Sequence, residues 1–312
     1  VDGRVTETPQ SSVRVEDGRH PWQTLSDGPI TVRWYRGGDA FGREMLAAAQ
    51  ESAARLRDLQ GVDLRYPLTI HVYGSQNELF EAVPGAPGWI GGIAIPEFDT
   101  VLIGIEPTNL PWGRRALTHE MAHQLVYQMT AHPTLGSRVP TWLNEGLAVV
   151  AEGETELRNR QLLDQAIADG TLPTLRALSS PFSAQAGHLA GVSYAASESA
   201  VSFLLDDHGP EAMRAMLTAL SEGLSPDEAA RRAYGGPLDQ LEDGWRVSLG
   251  LDPFDRGDPA AATPTDGGST GQPQQRAGVA DDSRWVVWLA LGLGGLTLVV
   301  IVAGGWLVAR RR

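Results

Sequence analysis

Two histidines, His119 and His123, lie four residues apart in the string Thr118-His119-Glu120-Met121-Ala122-His123. On a helix this spacing stacks both imidazoles on one face. There they can grip one metal ion, with the adjacent Glu120 free to act as a base. A second string, Thr141-Trp142-Leu143-Asn144-Glu145-Gly146, follows downstream and can bring Glu145 in as a third ligand. Three protein ligands and one open position are the makings of a catalytic zinc site. The His/His/Glu set suits Zn²⁺, and this Cys-free N/O ligation also accepts Co²⁺ or Mn²⁺ in vitro. Glu120 cannot ligate beside His119, because neighbouring helix positions diverge by about 100°. It can instead take a proton from water and hand it to a leaving amine. Glu152, Glu154 and Glu156 compete for the third-ligand role. Glu145 is favoured because it sits in a first helical turn held by Trp142 and Leu143, whereas the others fall near a helix end at Gly153, and a metal site needs a rigid scaffold. The plainer alternative is a surface helix carrying two solvated histidines.

The strings His119-Glu120-Met121-Ala122-His123 and Trp142-Leu143-Asn144-Glu145-Gly146-Leu147-Ala148 resemble those of the gluzincin metallopeptidases. They are most similar to the bacterial peptidase MA-like domains, whose signature is shared with the M1 aminopeptidases. The resemblance covers residues 30 to 250 and includes a closing helix with Leu238, Leu241, Glu242 and Trp245. It implies a zincin-like α+β fold, one Zn²⁺ held by His119, His123 and Glu145, Glu120 as general base, and a peptide or protein substrate. It also implies a tyrosine that stabilises the oxyanion. Tyr194 is the candidate, with an aromatic packed on the core as the alternative reading and His188 as another donor nearby. A strand edge above the metal is implied to pair with substrate backbone, and Gly91-Gly92-Ile93-Ala94 occupies that place. Two departures stand out. M1 aminopeptidases carry Gly-x-Met-Glu-Asn there, whereas this chain reads Gly92-Ile93-Ala94-Ile95-Pro96 with Glu97 as the nearest acid, so exopeptidase specificity does not carry over. Val149 stands where thermolysin-like enzymes place an Asp, four residues after the ligand Glu. The sequence therefore does not show what orients the zinc histidines.

The elements that must position these residues fall into two halves. Residues 1–28 read as a flexible N-terminal segment, with Val13-Arg14-Val15 as a possible short strand. Residues 29–112 read as a mixed α/β subdomain. It comprises a strand at Ile30–Tyr35, a helix over 40–59 closed by Gly61, a strand at Leu68–Tyr73, a short helix over 77–83 capped by Ser75, and a hairpin of 89–96 with 100–105. Residues 113–251 read as a helical, zinc-binding subdomain. Its first helix, 114–130, has Leu117, Met121, Leu125 and Met129 on one stripe and is expected to be amphipathic. Thr141 is expected to cap the next helix, 142–152. Further helices follow at 157–168, 194–207, 211–222, 227–234 and 238–248, with Gly209-Pro210 as a break.

The remainder concerns location. Residues 252–284 are Pro/Gly-rich and read as a linker with a reach of roughly 30 Å. Trp285–Ala309 carry no charge and are followed by Arg310-Arg311-Arg312. That run is long enough to cross a hydrocarbon layer of roughly 30 Å. Its tryptophans suit interfaces, and the Arg tail places the C-terminus in the cytoplasm. A single transmembrane helix, 285–309, and an extracytoplasmic catalytic part are therefore expected. The chain begins Val1-Asp2-Gly3, as after removal of a signal peptide or a trimmed start. Net charge is −13, and −16 without the three final arginines (22 − 38), which argues against a nucleic-acid partner. No Cys is present, so disulfides, thiolate ligands and a Cys nucleophile are excluded. Two other functions fit the same residues: a catalytically inactive peptidase-like binding module, or a zinc-dependent hydrolase of a non-peptide amide.

Overall fold

The computed structural model describes residues 17–83, 91–132, 136–153, 157–182, 187–256 and 298–299. In chain order its elements begin β1 (Gln23–Asp27), β2 (Ile30–Trp34), α1 (Gly38–Gln60), β3 (Leu68–Tyr73), α2 (Gln76–Ala82), β4 (Gly92–Ile95) and β5 (Thr100–Gly104). The helical part follows as α3 (Leu110–Thr130), α4 (Thr141–Glu152), α5 (Leu157–Ala168), α6 (Gly187–Ser221), α7 (Pro226–Tyr234) and α8 (Leu238–Ser248). The sheet runs β1-β2-β3-β5-β4 and ends on a two-residue sixth strand beside β4, with β2, β3 and β5 parallel to one another, β1 antiparallel to β2 and β4 antiparallel to β5.

Strand alternation splits the sheet into two faces. Ile30, Val32, Trp34, Leu68, Ile70, Val72, Val101 and Ile103 join α1, α3 and the later helices in one continuous core. Tyr73 and Ile93 project to the other face, where they pack with Leu79 of α2 and with Trp22, Tyr35, Ile95 and Leu102. Ser75 caps α2 by accepting from the Glu78 N–H at 3.2 Å, as its position predicts. β4 and β5 form the expected hairpin, joined by a short 3₁₀ turn at Pro96–Phe98.

Four expectations need revision. Gln23–Asp27, placed in the flexible lead-in, form β1; their side chains are mostly exposed, so they carry little of the apolar pattern that marks a strand. The 114–130 helix is not amphipathic. As α3 it is buried on nearly every side from Leu117 to Thr130, polar residues included, because sheet and helices enclose it. Thr141 does not cap α4. Pro140 holds the cap position, and the Thr141 hydroxyl donates instead to the Ser179 carbonyl at 3.2 Å. The helices expected at 194–207 and 211–222 are one long α6, beginning at Gly187 and kinked at Gly209, whose φ of 77° and ψ of 173° interrupt the helical path before Pro210.

The possible strand at residues 13–15, the linker beyond residue 256 and most of the 285–309 run lie outside the described residues. Leu298–Val299 are described, as a two-residue strand β6 parallel to Ile93–Ala94. Among the described residues no helix is long and apolar enough to cross a membrane.

Candidate active site

α3 carries His119, Glu120 and His123 into the centre of the molecule, all three buried. α4 crosses beside it, fixed by the fully buried Trp142 and Leu143, and brings Glu145 to the same point. Gly146 is what lets α4 lie so close to α6. A Cβ there would stand 2.5 Å from the Ser197 carbonyl oxygen and 2.5 Å from Val201 Cγ2. Within the Trp-Leu-Asn-Glu-Gly string, Trp142 and Leu143 thus pack, Glu145 enters the site and Gly146 makes the helix crossing.

His119, His123 and Glu145 each offer one donor atom, all within 4.8 Å of one another. Glu145 Oε2 lies 3.8 Å from His119 Nε2 and 3.6 Å from His123 Nε2, and the two imidazoles meet edge-on at 4.8 Å. None of these three atoms has a hydrogen-bond partner among the described residues, although all are buried. Orphaned buried donors are costly, about 1–3 kcal/mol each, and three facing one point call for a common partner. Ligands about 2.0–2.2 Å from a tetrahedral ion stand about 3.4 Å apart, close to the two carboxylate–imidazole spacings of 3.6 and 3.8 Å. The donor set therefore fits a divalent ion of zinc's preferences.

The histidines differ in what stands behind them. His119 Nδ1 is bonded to Glu152 Oε1 at 2.6 Å, and Glu152 Oε2 accepts from Arg115 Nη2 at 2.9 Å. Glu152, weighed in the sequence as a rival third ligand, instead orients His119 from the outer side. This supplies the partner that was missing at Val149, one helical turn further along α4. The signal legible beforehand was a carboxylate seven residues, two turns, after Glu145. Glu154 and Glu156, the other rivals, lie outside the described residues. Neither His123 nitrogen has a well-formed hydrogen bond. The Asn144 side chain approaches that ring closely enough to favour its charged form.

Burial governs the proton affinities. It pushes the Glu120 carboxyl up to about 8, with His119 opposing, Glu145 reinforcing and the Ala94 N–H opposing. It pushes Glu145 up to about 7, with His119 opposing. His123 is driven well below the usual imidazole range, by burial first and by His119 second. Burial also disfavours the charged form of His119, but the Glu152 hydrogen bond and the surrounding carboxylates overcome it and raise that ring. Glu152 is held below its usual range: burial works against this, and His119 and Arg115 outweigh burial.

β4 lies over Glu120. Gly104 N–H bonds to the Gly91 carbonyl at 3.0 Å, so antiparallel alternation turns the Gly92 and Ala94 backbone groups away from β5. The Ala94 N–H meets the Glu120 carboxylate. Gly92 packs on the same side chain: a Cβ would stand 2.6 Å from Glu120 Cγ. All four edge residues, Gly91, Gly92, Ile93 and Ala94, are buried. Tyr194, on α6, is partly buried and meets the Phe182 ring edge-on at 5.4 Å. Its hydroxyl is held well above its usual range, by burial first and then by Glu145, Glu120 and Glu152. It is therefore close enough to feel the site's carboxylates while also packing on the core. The His188 side chain lies outside the described residues.

A layer of amides not singled out in the sequence locks α3 to the hairpin. Asp99, at a left-handed φ of 47°, accepts from Gln128 at 2.8 Å and Gln124 at 3.3 Å. Gln128 Oε1 in turn accepts from the N–H groups of Arg65 and Tyr66 at 3.0 and 3.1 Å. A cavity of 530 Å³ beside Asn159 and Phe203 contains none of the site residues. The converging donors, and not cavity size, mark the site.

The profile of the Peptidase MA superfamily matches residues 48–250. The chain belongs to the Peptidase MA superfamily. Among solved structures, a mutant two-domain M1 zinc metallopeptidase bound to L-arginine is similar at 17% identity, TM-score 0.41, covering 72% of this chain and 50% of that one. An M1 zinc metallopeptidase from Deinococcus radiodurans is similar at 17% identity, TM-score 0.40, with the same coverage. The chain spans about half the length of these structures. No curated protein matched.

Proposed function

We propose that this chain is a zinc metallopeptidase, with His119, His123 and Glu145 as ligands of one Zn²⁺ and Glu120 as the general base. The observation that carries the reading is the convergence of three buried donor atoms, unpartnered among the described residues, beside a second buried carboxylate, Glu120. Membership of a peptidase superfamily points the same way to a peptide or protein substrate. Bound at these ligands, the ion supplies Lewis acidity, polarising a carbonyl and lowering the pKa of water from about 16 to about 7.

The chain's own residues do the rest. Glu120, with its proton affinity raised by burial, is suited to accept a proton near neutral pH and pass it to the leaving amine. The Ala94 N–H and Gly92 hold its carboxylate in place. Glu152, fixed by Arg115, keeps the His119 ring turned so that Nε2 faces the ligand cluster. Tyr194 stays protonated across the neutral range and can donate to the oxyanion that develops on the substrate. Once Leu298–Val299 leave it, the edge of β4 at Gly91–Ala94 can pair with extended substrate backbone.

We further propose that residues 285–309 anchor the chain in a membrane with Arg310–Arg312 on the cytoplasmic side, on the strength of an uncharged run of spanning length beside a cationic tail. An anchored state requires Leu298–Val299 to leave β4. Detergent-dependent extraction of the full chain, and its release by cleavage in 252–284, test this.

The test of the enzymatic reading is Glu120→Gln in the zinc-loaded chain. Peptide-bond hydrolysis, followed by mass spectrometry on a peptide library, should be abolished while zinc remains bound. Undiminished hydrolysis would remove Glu120 from the mechanism.

A further inference from the structure

The sheet contains a second place where chemistry converges, away from the metal ligands. β2 continues into α1 and β5 into α3, and both helices lie on the face that carries the main core. β3 continues into α2, whose Leu79 packs on the opposite face. β3 and β5 are adjacent parallel strands, so the chain leaves their carboxyl ends in opposite directions. In open α/β sheets that switch in direction is where ligand crevices form. A cavity of 370 Å³ sits at this point, lined by Gln76 and Asn77 from the β3–α2 turn and by Gly104, Glu106, Asn109 and Trp112 from the β5–α3 connection. Its volume is at the small end of the range for small-molecule sites, about 300–1,000 Å³.

The floor is closed by a backbone approach. A Cβ on Gly104 would stand 2.6 Å from the Ser75 carbonyl oxygen and 2.7 Å from Gln76 Cα. Above that floor stand three carboxamides, one carboxylate and one indole. Asn109 occupies the cap position of α3 without capping any backbone group, which leaves its carboxamide for a ligand. Among the described residues no cationic side chain lines the cavity, and Glu106 repels anions, which disfavours phosphate or a nucleotide. So polar a lining suits an apolar ligand poorly. Carboxamides present a donor and an acceptor side by side, and a carboxylate presents two acceptors; both match neighbouring hydroxyls. An indole gives a broad apolar surface with one polar handle, against which the C–H face of a sugar ring can lie.

We propose that the crevice at the carboxyl ends of β3 and β5 binds a neutral saccharide of about one ring, through Gln76, Asn77, Glu106 and Asn109, with Trp112 beneath the ring. The site is separate from the proposed metal site and does not depend on that site's being catalytic.

The test uses the full, zinc-loaded chain and a panel of glucose, galactose, mannose and N-acetylglucosamine, read by saturation-transfer NMR and titration. At least one sugar should bind with a millimolar Kd. Asn109→Ala and Gln76→Ala should each weaken it by about tenfold, in keeping with the loss of one or two hydrogen bonds, with melting temperature and peptide hydrolysis unchanged. Trp112→Ala should also abolish binding; because Trp112 packs partly on the core, the two amide variants remain decisive if it fails to fold. Absence of binding across the panel, binding that survives both amide substitutions, or saturation transfer from short peptides alone would overturn the proposal.

Discussion

Replacing Glu152 tests how the site is held together. Its Oε1 lies 2.6 Å from His119 Nδ1, and its Oε2 is held by Arg115. The bond is charge-assisted and largely shielded, with the Glu152 side chain 19% exposed. Loss of such a bond costs about 1.5–3 kcal/mol, and removing an outer partner of a metal-ligating histidine costs about 10–100-fold in metal affinity or activity. These ranges agree, since tenfold is about 1.4 kcal/mol. Glu152→Ala should therefore weaken zinc by about 10–100-fold. Glu152→Gln keeps an acceptor without the charge, roughly half the bond strength, so its loss should be about 3–10-fold. A proton effect opposes the loss. Glu152 raises the proton affinity of His119, so its removal also weakens proton competition for that ring. The deficit should therefore be largest at alkaline pH and narrow as pH falls. Zinc competition against a chromophoric chelator across pH gives the values, and kcat/KM on a cleaved peptide gives the catalytic counterpart. An alanine variant that binds zinc within twofold of wild type at alkaline pH, where about tenfold or more is expected, would refute the orienting role.

Other perturbations follow from the same geometry. Gly92→Ala puts a Cβ 2.6 Å from Glu120 Cγ, so kcat should fall while zinc content and melting temperature change little; full activity would mean that the base is not seated against β4. Gly146→Ala forces α4 away from α6 and should cost about 1–3 kcal/mol in denaturant unfolding, as overpacking does; a neutral result would show that the crossing can relax. Metal-free protein should respond to pH through Glu120, whose carboxyl is raised from 4.5 to about 8. The folded chain then keeps a proton that the unfolded chain has released, so this group's contribution to stability falls as pH rises between those values. The melting temperature of metal-free wild type should drop relative to Glu120→Gln over that window, and a constant gap would contradict the assignment. Because Glu145 must lose its proton to ligate, zinc uptake should release protons and weaken below about pH 7, measurable by calorimetry in buffers of different ionisation enthalpy.

Much of the site was legible because its chemistry is local. His119, Glu120 and His123 depend only on helical spacing, and Glu145 only on the helix that follows. The hairpin of β4 and β5 and the cap at Ser75 are likewise short-range patterns. What sequence did not show is long-range or packing-driven. Glu152 could be seen as a carboxylate near the site, but its distance from His119 depends on how α4 crosses α3, which Gly146 decides by contact with α6. The Asp99 amide network joins residues 25 to 29 positions apart. β1 has almost no apolar pattern because its side chains face solvent. The burial of α3 on nearly every side from Leu117 to Thr130 contradicted the stripe read from Leu117, Met121, Leu125 and Met129, since the amide nitrogens of Gln124 and Gln128 find acceptors inside the protein.

The proposed activity depends on one ion at one place, and the most direct measurement is a zinc-edge anomalous map of crystals grown with zinc. One peak is expected, with His119 Nε2, His123 Nε2 and a Glu145 carboxylate oxygen about 2.0–2.2 Å away and Glu152 still on His119 Nδ1. A peak ligated by Glu152, or no peak at these residues at full zinc loading, would contradict it.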